Sequence, residues 1–508
     1  MGVSKRFVQG CVYLFVSGAC ALLMSGGIGA NAGNAFGFTG SAPSSFIASA
    51  QESDSNSQPS PAATASSTSN QNTSAQDPGA RTDSADAGAP LSTMSADELE
   101  YFQDGLSRFI EVDSVTGAAP GESGSGLGPT FNSNSCGSCH SQPAVGGSSP
   151  SVNPQIAAAT DYGASNSIPF FITEHGPVRE ARFPFLVTSS GTVSKTPDGG
   201  VHDLFTITGR SDAVGCTATQ PNFEQMQQLN NLIFRIPTPL FGAGLIENIP
   251  EAAIYANMAA NATLKQNLGI SGHPNISGND GTITRFGWKA QNKSVEMFAG
   301  EAYNVEMGVT NELFPEERSR PPASCMTNPT PEDSTNFPAS GAAIPSDIVA
   351  FSNFIRFLAP PVQSAKGIPG NPTATSISNG RSLFSQIHCD LCHTSAMQTS
   401  ASSFAPALSN QTAALFSDLL VHHMGSGLAD NVSQGTAGPD EFRTAPLWGL
   451  GQRLFFLHDG RATPSNGGLL TAIQAHASSG SEANGVISLF QQLSNQQKQD
   501  LMNFLRSL

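Results

Sequence analysis

The sequence predicts a mainly α-helical protein of two helical domains, with long loop-rich insertions that contain some short β-strands. Three observations predict this fold class. Apolar residues recur at helical spacing after Ser95, a Cys-x-x-Cys-His motif occurs twice, 253 positions apart, and the region from 168 to 336 is rich in Gly, Pro, Asn, Thr and Phe with only short apolar runs. A chain of 508 residues is long enough for two domains.

Residues 1–32 have the pattern of an export signal, which predicts a periplasmic or secreted protein. Lys5 and Arg6 precede an apolar stretch from 7 to 24, and an Ala-x-Ala cleavage site ends at residue 32. Two alternatives remain open. The apolar stretch could stay as a membrane anchor, or Cys20 could be lipidated.

Residues 33–94 are predicted to form a disordered linker between the signal and the folded part. From Ala42 to Ala89 the chain is nearly all Ser, Ala, Gln, Thr, Asn, Asp, Pro and Gly, with almost no large apolar residue after Phe46. Such a composition cannot bury enough apolar surface to offset the entropy of ordering. It therefore indicates a flexible tether.

An opening helix of the N-terminal domain, predicted over 95–358, is expected to begin at Ser95. Ser95-Ala-Asp-Glu98 has the form of a capping box, and it precedes apolar residues at helical spacing. These residues are Leu99, Phe102, Leu106, Phe109 and Ile110.

The two Cys-x-x-Cys-His motifs are Cys136–His140 and Cys389–His393. This spacing is the signature of haem c attachment, in which two thiols bond covalently to the porphyrin and the adjacent His ligates iron. A zinc site or a redox dithiol is the alternative, but neither copy has a second Cys or His pair nearby. We therefore predict two cytochrome c-like domains, each with one covalent haem c. The attachment cysteines are Cys136, Cys139, Cys389 and Cys392, and the iron ligands are His140 and His393.

Two further cysteines, Cys216 and Cys325, remain after the motifs and the signal are accounted for. In an oxidising compartment a single remaining pair indicates a structural disulfide. Two buried free thiols are the alternative.

A Pro-rich passage from 359 to 372 separates the N-terminal domain from a C-terminal domain predicted over 373–508. After it, the stretch from Asn379 to Phe384 leads into the second motif as a first helix would.

The net charge of −16 makes nucleic acid an improbable partner. Only 12% of the residues are charged, so the acidity is diffuse and indicates solubility. Steering of a basic electron-transfer partner is the alternative interpretation.

The remaining histidines bear on reactivity, because an iron with two protein ligands only passes electrons, whereas an open face binds peroxide or dioxygen. Candidates for the sixth ligand of the second iron are His458, His476 and the run His422-His423-Met424. His175 is the nearest candidate after the first motif, and His202 lies beyond it.

The chain resembles the di-haem oxidoreductase family, whose members are described as peroxidases or thiol oxidoreductases. That family is related to bacterial di-haem cytochrome c peroxidases, the methylamine-utilisation di-haem enzyme and rubber oxygenases. Besides the first motif and its approach from Gly126, the matching stretches are Pro239–Glu247, Arg285–Ala290, Arg443–Gly451 and His458–Ala462.

The resemblance implies that the N-terminal haem is reactive and the C-terminal haem transfers electrons. It places His476 at the second iron, and His458 then packs near the site without ligating. Related peroxidases often hold a removable His about sixteen residues after the proximal one. This chain has Gln155-Ile156 there, which implies an open first iron unless His175 moves in.

The resemblance also implies an aromatic residue between the haems, for which Trp288 is preferred over Trp448. An ordinary buried Trp is the alternative. Glu301, with Glu306 as a second candidate, is expected to supply acid–base catalysis, and a hydrogen-bonded loop carboxylate is the alternative. Tyr303 is either a radical relay or core packing.

The sequence therefore predicts a haem-dependent, peroxidase-like oxidoreductase in which the C-terminal haem passes electrons to an N-terminal haem that binds peroxide or dioxygen. A rubber-oxygenase-like dioxygenase on an apolar substrate and a non-enzymatic electron carrier are the alternatives. The expected electron donor is a small protein or a quinol-linked cytochrome. A membrane is a partner only if the signal is uncleaved, and some relatives contain a bridging Ca²⁺.

Overall fold

The computed structural model describes residues 74–336, 344–403 and 405–508. The predicted export signal and the linker up to residue 73 lie outside the described residues. The α-helices of the described ranges are α1 (Ala96–Phe109), α2 (Cys136–Cys139), α3 (Gln155–Ala158), α4 (Phe223–Gln228), α5 (Ala243–Glu247), α6 (Glu251–Ala259), α7 (Ala262–Leu268), α8 (Val295–Met307), α9 (Asp347–Phe357), α10 (Ala374–Gln386), α11 (Gly468–Gln474), α12 (Asn484–Gln492) and α13 (Asn495–Ser507).

The strands are short, as predicted. They are β1 (Asp113–Ser114), β2 (Gly124–Ser125), β3 (Thr130–Phe131), β4 (Glu180–Arg182), β5 (Phe185–Val187), β6 (Val193–Pro197), β7 (Val201–His202), β8 (Phe205–Thr206), β9 (Ile233–Arg235), β10 (Asn275–Ile276), β11 (Ile283–Thr284), β12 (Met397–Gln398), β13 (Thr412–Ala413), β14 (Val421–His423) and β15 (Glu441–Arg443). Most pair in twos, and β7, β4 and β9 form a three-stranded antiparallel sheet in which Glu180 lies opposite Arg235.

The predicted opening helix is confirmed with its capping box. The Ser95 hydroxyl accepts from the Glu98 N–H at 3.2 Å, and the Glu98 carboxylate accepts from the Ser95 N–H at 2.8 Å. Phe102 and Phe109 are buried, and they pack α1 against α9.

Two helix pairs repeat one arrangement around the two motifs. In α1, a Cβ at Gly105 would overlap the carbonyl oxygen of Ala350 in α9. In α10, a Cβ at Gly380 would likewise overlap the carbonyl oxygen of Asp500 in α13. In the sequence, each Cys-x-x-Cys-His motif lies between the two helices of one pair. Each motif therefore follows a helix, α1 or α10, that packs closely against its partner helix at a glycine.

Two main hydrophobic clusters form the core. The larger one extends from Phe102 to Phe357 and also includes residues of the C-terminal half such as Met397 and Trp448. The smaller one lies between Phe384 and Leu508. Cys136 packs against the larger cluster and Cys389 against the smaller one, so each motif borders its own apolar core.

Residues 74–94, assigned by composition to the linker, are ordered against the rest of the chain. The Asp77 carboxylate forms a buried ion pair with Arg506 at 2.6 Å. The Arg81 guanidinium donates to the carbonyl oxygens of Ser364 and Ser507, both at 2.9 Å. Backbone hydrogen bonds from 82 to 91 run along the 357–367 passage. Backbone and ion-pair contacts, which composition does not register, therefore order this polar segment.

A disulfide joins Cys216 to Cys325, and both residues are buried. It connects the loop after β8 to a 3₁₀ turn at Ala323–Cys325. Among the described residues, no helix combines the length and the apolar character that a membrane span requires.

Candidate functional site

The first motif begins with the short helix α2, which is N-terminal to His140. The His140 Nδ1 lies 3.0 Å from the carbonyl oxygen of Gly147, so Nδ1 is the donor. Burial lowers the pKa of His140 to about 4. The ring is therefore neutral near pH 7, which is the form that ligates a metal.

The second motif has the same geometry. His393 Nδ1 lies 3.0 Å from the carbonyl oxygen of Phe416, and burial lowers the pKa of His393 to about 4. An aromatic ring flanks each histidine, Phe109 at 6.1 Å from His140 and Phe384 at 6.3 Å from His393 between ring centroids. Both imidazoles are thus fixed in orientation before any ligand binds.

Burial raises the pKa of three motif thiols, to about 11 for Cys139, to about 12 for Cys389 and well above the usual range for Cys136. These three thiols are therefore protonated near pH 7.

A cluster of Cys392, Asp418 and His422 has metal-ligating atoms within 4.8 Å of one another. The His422 nitrogens are already engaged, however, Nδ1 with Glu482 at 2.7 Å and Nε2 with Asp418 at 3.0 Å. These carboxylates hold the pKa of buried His422 well above its usual range. A protonated imidazole has no lone pair for a metal, so we assign this cluster to structural ion pairing.

A cavity opens beside the second motif, and we call it the C-terminal cavity. Its wall is mainly apolar. It includes Cys389, Cys392 and His393 together with the predicted candidates His422, Met424, His458 and His476.

His476 lines the same cavity as His393. Its Nδ1 lies 2.8 Å from the carbonyl oxygen of Ala472, so Nδ1 is the donor. Besides burial, the charge of His476 lowers the pKa of His393. His458 instead stacks on Phe442, with ring centroids 4.3 Å apart and planes 18° apart. His423 is exposed and pairs with Asp440.

Two guanidinium groups in this wall lack a carboxylate partner among the described residues. Arg453 is buried, with no hydrogen bond at Nε or Nη2, and Arg443 has none at Nε. Burial lowers the pKa of each to about 10, so both remain charged near pH 7. An unpaired buried charge is costly. The carboxylates of haem propionates would pair with these two arginines, so the residues present fit a haem group.

A second cavity, the N-terminal cavity, opens beside Cys136, Cys139 and His140. Among the described residues in its wall, His140 is the only histidine. His175 is exposed, lies outside this wall, and contacts the carbonyl oxygen of Ser151 at 3.3 Å. His202 stacks on Phe183 and is also outside.

Charged and amide side chains form part of the wall of the N-terminal cavity, which is otherwise mainly apolar. They are Glu180, Arg182, Arg235, Gln291, Glu301 and Glu306. The Glu301 carboxylate accepts a hydrogen bond from the Asn292 side chain, which orients it. Tyr303 is buried outside this wall and donates to the Asp113 carboxylate at 2.9 Å, so it packs in the core.

Trp288 lines both cavities, whereas Trp448 lines neither of them. Its indole Nε1 donates to the carbonyl oxygen of Ile236 at 2.9 Å, and its ring lies 6.4 Å from that of His458. Trp288, the tryptophan that the resemblance favours, therefore lies in the wall of both cavities.

Sequence reasoning did not identify Arg443, Arg453, Glu180 and Arg182 as site residues. Arg443 stands at the head of a matching stretch, which is a signal that could have been followed. Arg453, Glu180 and Arg182 do not belong to a local motif. Their role depends on which hydrogen-bond and ion-pair partners lie beside them in the folded protein.

A family model described as "Di-haem oxidoreductase, putative peroxidase" matches residues 191–508, which include the second motif. No curated protein matches significantly. Among solved structures, hydrazine synthase of Kuenenia stuttgartiensis aligns at 20% identity over 32% of this chain and 55% of its own, with a TM-score of 0.19. A MauG-like protein associated with microbial copper homeostasis aligns at 14% identity over 51% and 89%, with a TM-score of 0.25. The aligned part is thus about half the length of the hydrazine synthase chain.

Proposed function

The chain belongs to the di-haem oxidoreductase family, and on that premise we propose that it is a peroxidase-like enzyme. Electrons pass from the C-terminal haem to the N-terminal haem, where peroxide reacts. The observation that best supports this proposal is the wall of the N-terminal cavity, where five charged side chains and a glutamine accompany a single histidine among the described residues.

Four cysteines and three histidines would hold the two haem groups. Cys136 and Cys139 would attach one haem, and His140 would ligate its iron. Cys389 and Cys392 would attach the other, His393 and His476 would ligate its iron, and Arg443 and Arg453 would pair with its propionates. Haem supplies an iron that transfers electrons and, where a coordination position is open, binds peroxide.

Residues of the N-terminal cavity transfer protons to and from peroxide and hold it in position. Glu301, fixed by Asn292, is placed to accept or donate a proton at a peroxide oxygen. Trp288 is rigidly held between the cavities and shortens the path for electrons. Peroxide is small and polar, and this wall of carboxylates and guanidinium groups offers it hydrogen bonds.

The alternative functions differ from the peroxidase in what the N-terminal cavity must provide. A dioxygenase acting on an apolar substrate needs a cavity lined by residues such as Phe and Ile. Phe109, Phe351 and Ile355 supply such a lining on part of the wall, and the charged side chains beside them favour the peroxidase. An electron carrier needs two protein ligands at both irons, and the described part of this wall offers Met307 but no second histidine.

The partners and location remain part of the proposal. We propose export to the periplasm or the medium, and a small protein or a quinol-linked cytochrome as the electron donor. A bridging Ca²⁺ stays a prediction from the resemblance.

Electron paramagnetic resonance of the ferric holoprotein tests the proposed function. We expect a high-spin signal from the N-terminal haem that is lost when hydrogen peroxide is added, and a low-spin signal from the C-terminal haem. His175→Ala is the matched control, since an exposed His outside the cavity should leave both signals unchanged. Two low-spin signals that do not respond to peroxide would contradict the peroxidase and favour the carrier.

A further inference from the structure

A buried carboxylate, that of Asp430, forms ion pairs with two cations at once. Its Oδ2 lies 2.7 Å from Nη2 of Arg235, and its Oδ1 lies 3.1 Å from Nζ of Lys289. The exposed fraction is 3% for the Arg235 side chain and 0% for those of Asp430 and Lys289. Because buried ion pairs often contribute little net stability, the position of this cluster in the fold is its more informative property.

Asp430 connects the chain neighbours of a hydrogen bond in the wall between the two cavities. Arg235 immediately precedes Ile236, and Lys289 immediately follows Trp288. The indole Nε1 of Trp288 donates to the carbonyl oxygen of Ile236 at 2.9 Å. Trp288 lines both cavities, and Arg235 lines the N-terminal one. One carboxylate therefore holds together the two chain segments that the Trp288 hydrogen bond joins.

Lys289 extends this contact to the wall of the C-terminal cavity. Its ammonium group lies 4.1 Å from the centroid of the Phe442 ring, a cation–π contact. The same group donates to the carbonyl oxygens of Gly438 and Glu441, both at 2.8 Å. Phe442 stacks on His458, and both rings line the C-terminal cavity. These contacts fix the ammonium group directly behind that wall.

The carboxylate and the ammonium group are both charged near neutral pH. Burial opposes the ionisation of Asp430, but Arg235 and Lys289 hold its pKa below the usual range. Burial lowers the pKa of Lys289 to about 8, so most of these ammonium groups keep their proton at pH 7. Without the carboxylate, two buried cations would face each other unpaired. Their repulsion and desolvation would favour a rearrangement of both chain segments.

We propose that Asp430 is a positioning residue for electron transfer between the two haems. The inference rests on the proposed function, in which one electron leaves the ferrous C-terminal haem, which becomes ferric, and reduces the ferric N-terminal haem to ferrous. The electron donor then reduces the C-terminal haem again. Asp430 lines neither cavity, so it acts through Arg235 and Lys289, which keep the Trp288 indole bonded to Ile236.

The first experiment uses the holoprotein with Trp448→Phe, in which Trp288 is the one remaining tryptophan. Ultraviolet resonance Raman spectroscopy then reports the hydrogen bond of the Trp288 indole N–H alone. Asp430→Asn should shift this indole band to that of a weaker hydrogen bond. Asp212→Asn is the matched control, because it also removes a buried carboxylate from a buried arginine, Arg210, and lies outside both walls. It should leave the band unchanged.

The second readout is the rate of electron transfer between the haems, measured by stopped-flow reduction at the absorbance of each haem. Asp430→Asn should slow it roughly tenfold, within the range for substitutions in networks of packed and hydrogen-bonded side chains. Asp212→Asn should not change it. In a protein that already carries Trp288→Phe, Asp430→Asn should cause no further slowing, because both substitutions act on the same contact.

Two results would overturn the positioning role. One is an indole band that does not move in Asp430→Asn. The other is slowing by Asp430→Asn that adds fully to that of Trp288→Phe, because Asp430 would then act by another route. Either result would leave the peroxidase assignment intact.

A second variant covers misfolding. If Asp430→Asn loses its haem absorbance, Lys289→Met replaces it, since this variant keeps Asp430 paired with Arg235 and releases the segment that carries Trp288. The band and the rate should then change in the same direction. If the wild-type protein transfers no electrons between its haems, the proposed function fails, and the indole band still decides whether Asp430 positions Trp288.

Discussion

Trp288 is anchored to Ile236 by a hydrogen bond of 2.9 Å from the indole Nε1 to the Ile236 carbonyl oxygen. The N–H of Ile236 in turn donates to the carbonyl oxygen of His458 at 2.8 Å. Trp288 and His458 both line the C-terminal cavity, and Trp288 also lines the N-terminal cavity. These two hydrogen bonds therefore fix the position of Trp288 in the wall that the two cavities share.

Trp288→Phe should slow electron transfer between the haems while both remain attached, because the ring becomes smaller and loses its anchoring hydrogen bond. Stopped-flow reduction, followed at the absorbance of each haem, measures this. Trp448→Phe is the control, since Trp448 lines neither haem cavity. Equal rates in the wild type and Trp288→Phe would show that the tryptophan is only packing.

His476→Ala should convert the C-terminal haem from a low-spin to a high-spin ferric signal, because the iron would lose its sixth ligand. Electron paramagnetic resonance detects the change. His423→Ala should have no effect, since His423 is exposed and bonded to Asp440. A low-spin signal that persists without His476 would indicate His458 or Met424 as the ligand instead.

Arg453→Gln should lower the midpoint potential of the C-terminal haem, because removing a buried positive charge favours the ferric over the ferrous state. A spectroelectrochemical titration measures the shift. Arg461→Gln is a suitable control, as Arg461 is exposed and paired with Asp459. An unchanged potential in Arg453→Gln would mean that this guanidinium does not contact the propionates.

Asp77→Ala should destabilise the protein by about 3 kcal/mol, because it leaves the buried Arg506 without its carboxylate. Denaturant unfolding measures this, and residues 74–94 should become more sensitive to proteolysis. Asp104→Ala, an exposed change on α1, should have little effect. If both variants unfold alike, the ion pair contributes little to holding this segment.

Asp113→Asn should make stability less dependent on pH. Burial raises the pKa of Asp113 to about 8 from an ordinary value of 3.8. The folded protein therefore holds a proton that the unfolded chain releases, and the resulting stability is complete below pH 4 and is lost as the pH rises to about 8. The loss is at most about 1.4 kcal/mol per pH unit.

Unfolding of Asp113→Asn at pH 5 and pH 9 checks this effect. The variant should gain stability over the wild type at pH 9, and Asn retains an acceptor for the Tyr303 hydroxyl. Parallel pH profiles for the two proteins would contradict the raised pKa.

Local sequence patterns were sufficient to predict the haem-attachment motifs and the start of the first helix. The two Cys-x-x-Cys-His motifs predicted the haem c family, and the family match agrees with that prediction. The capping box at Ser95 predicted the start of α1. Such features depend only on residues within one helical turn, so they can be read without the fold.

One other prediction, the choice of Trp288, depended on the resemblance, and another, the linker over residues 74–94, was wrong because it was made from composition alone. Trp288 was preferred over Trp448 by resemblance alone, and the structure places it between the cavities. Residues 74–94 looked like linker because they have few large apolar side chains, yet Asp77 and Arg81 are held by partners hundreds of positions away.

The sequence by itself predicted where two haem groups attach, placed one histidine after each Cys-x-x-Cys pair, and indicated which family the chain resembles. Only the tertiary structure decided that Arg453 lacks a carboxylate partner in the described part of the chain and that His175 lies outside the N-terminal cavity. The physical reason is the range of the interactions. Covalent attachment needs neighbours in the chain, whereas the protonation and pairing of a buried charge depend on neighbours in space.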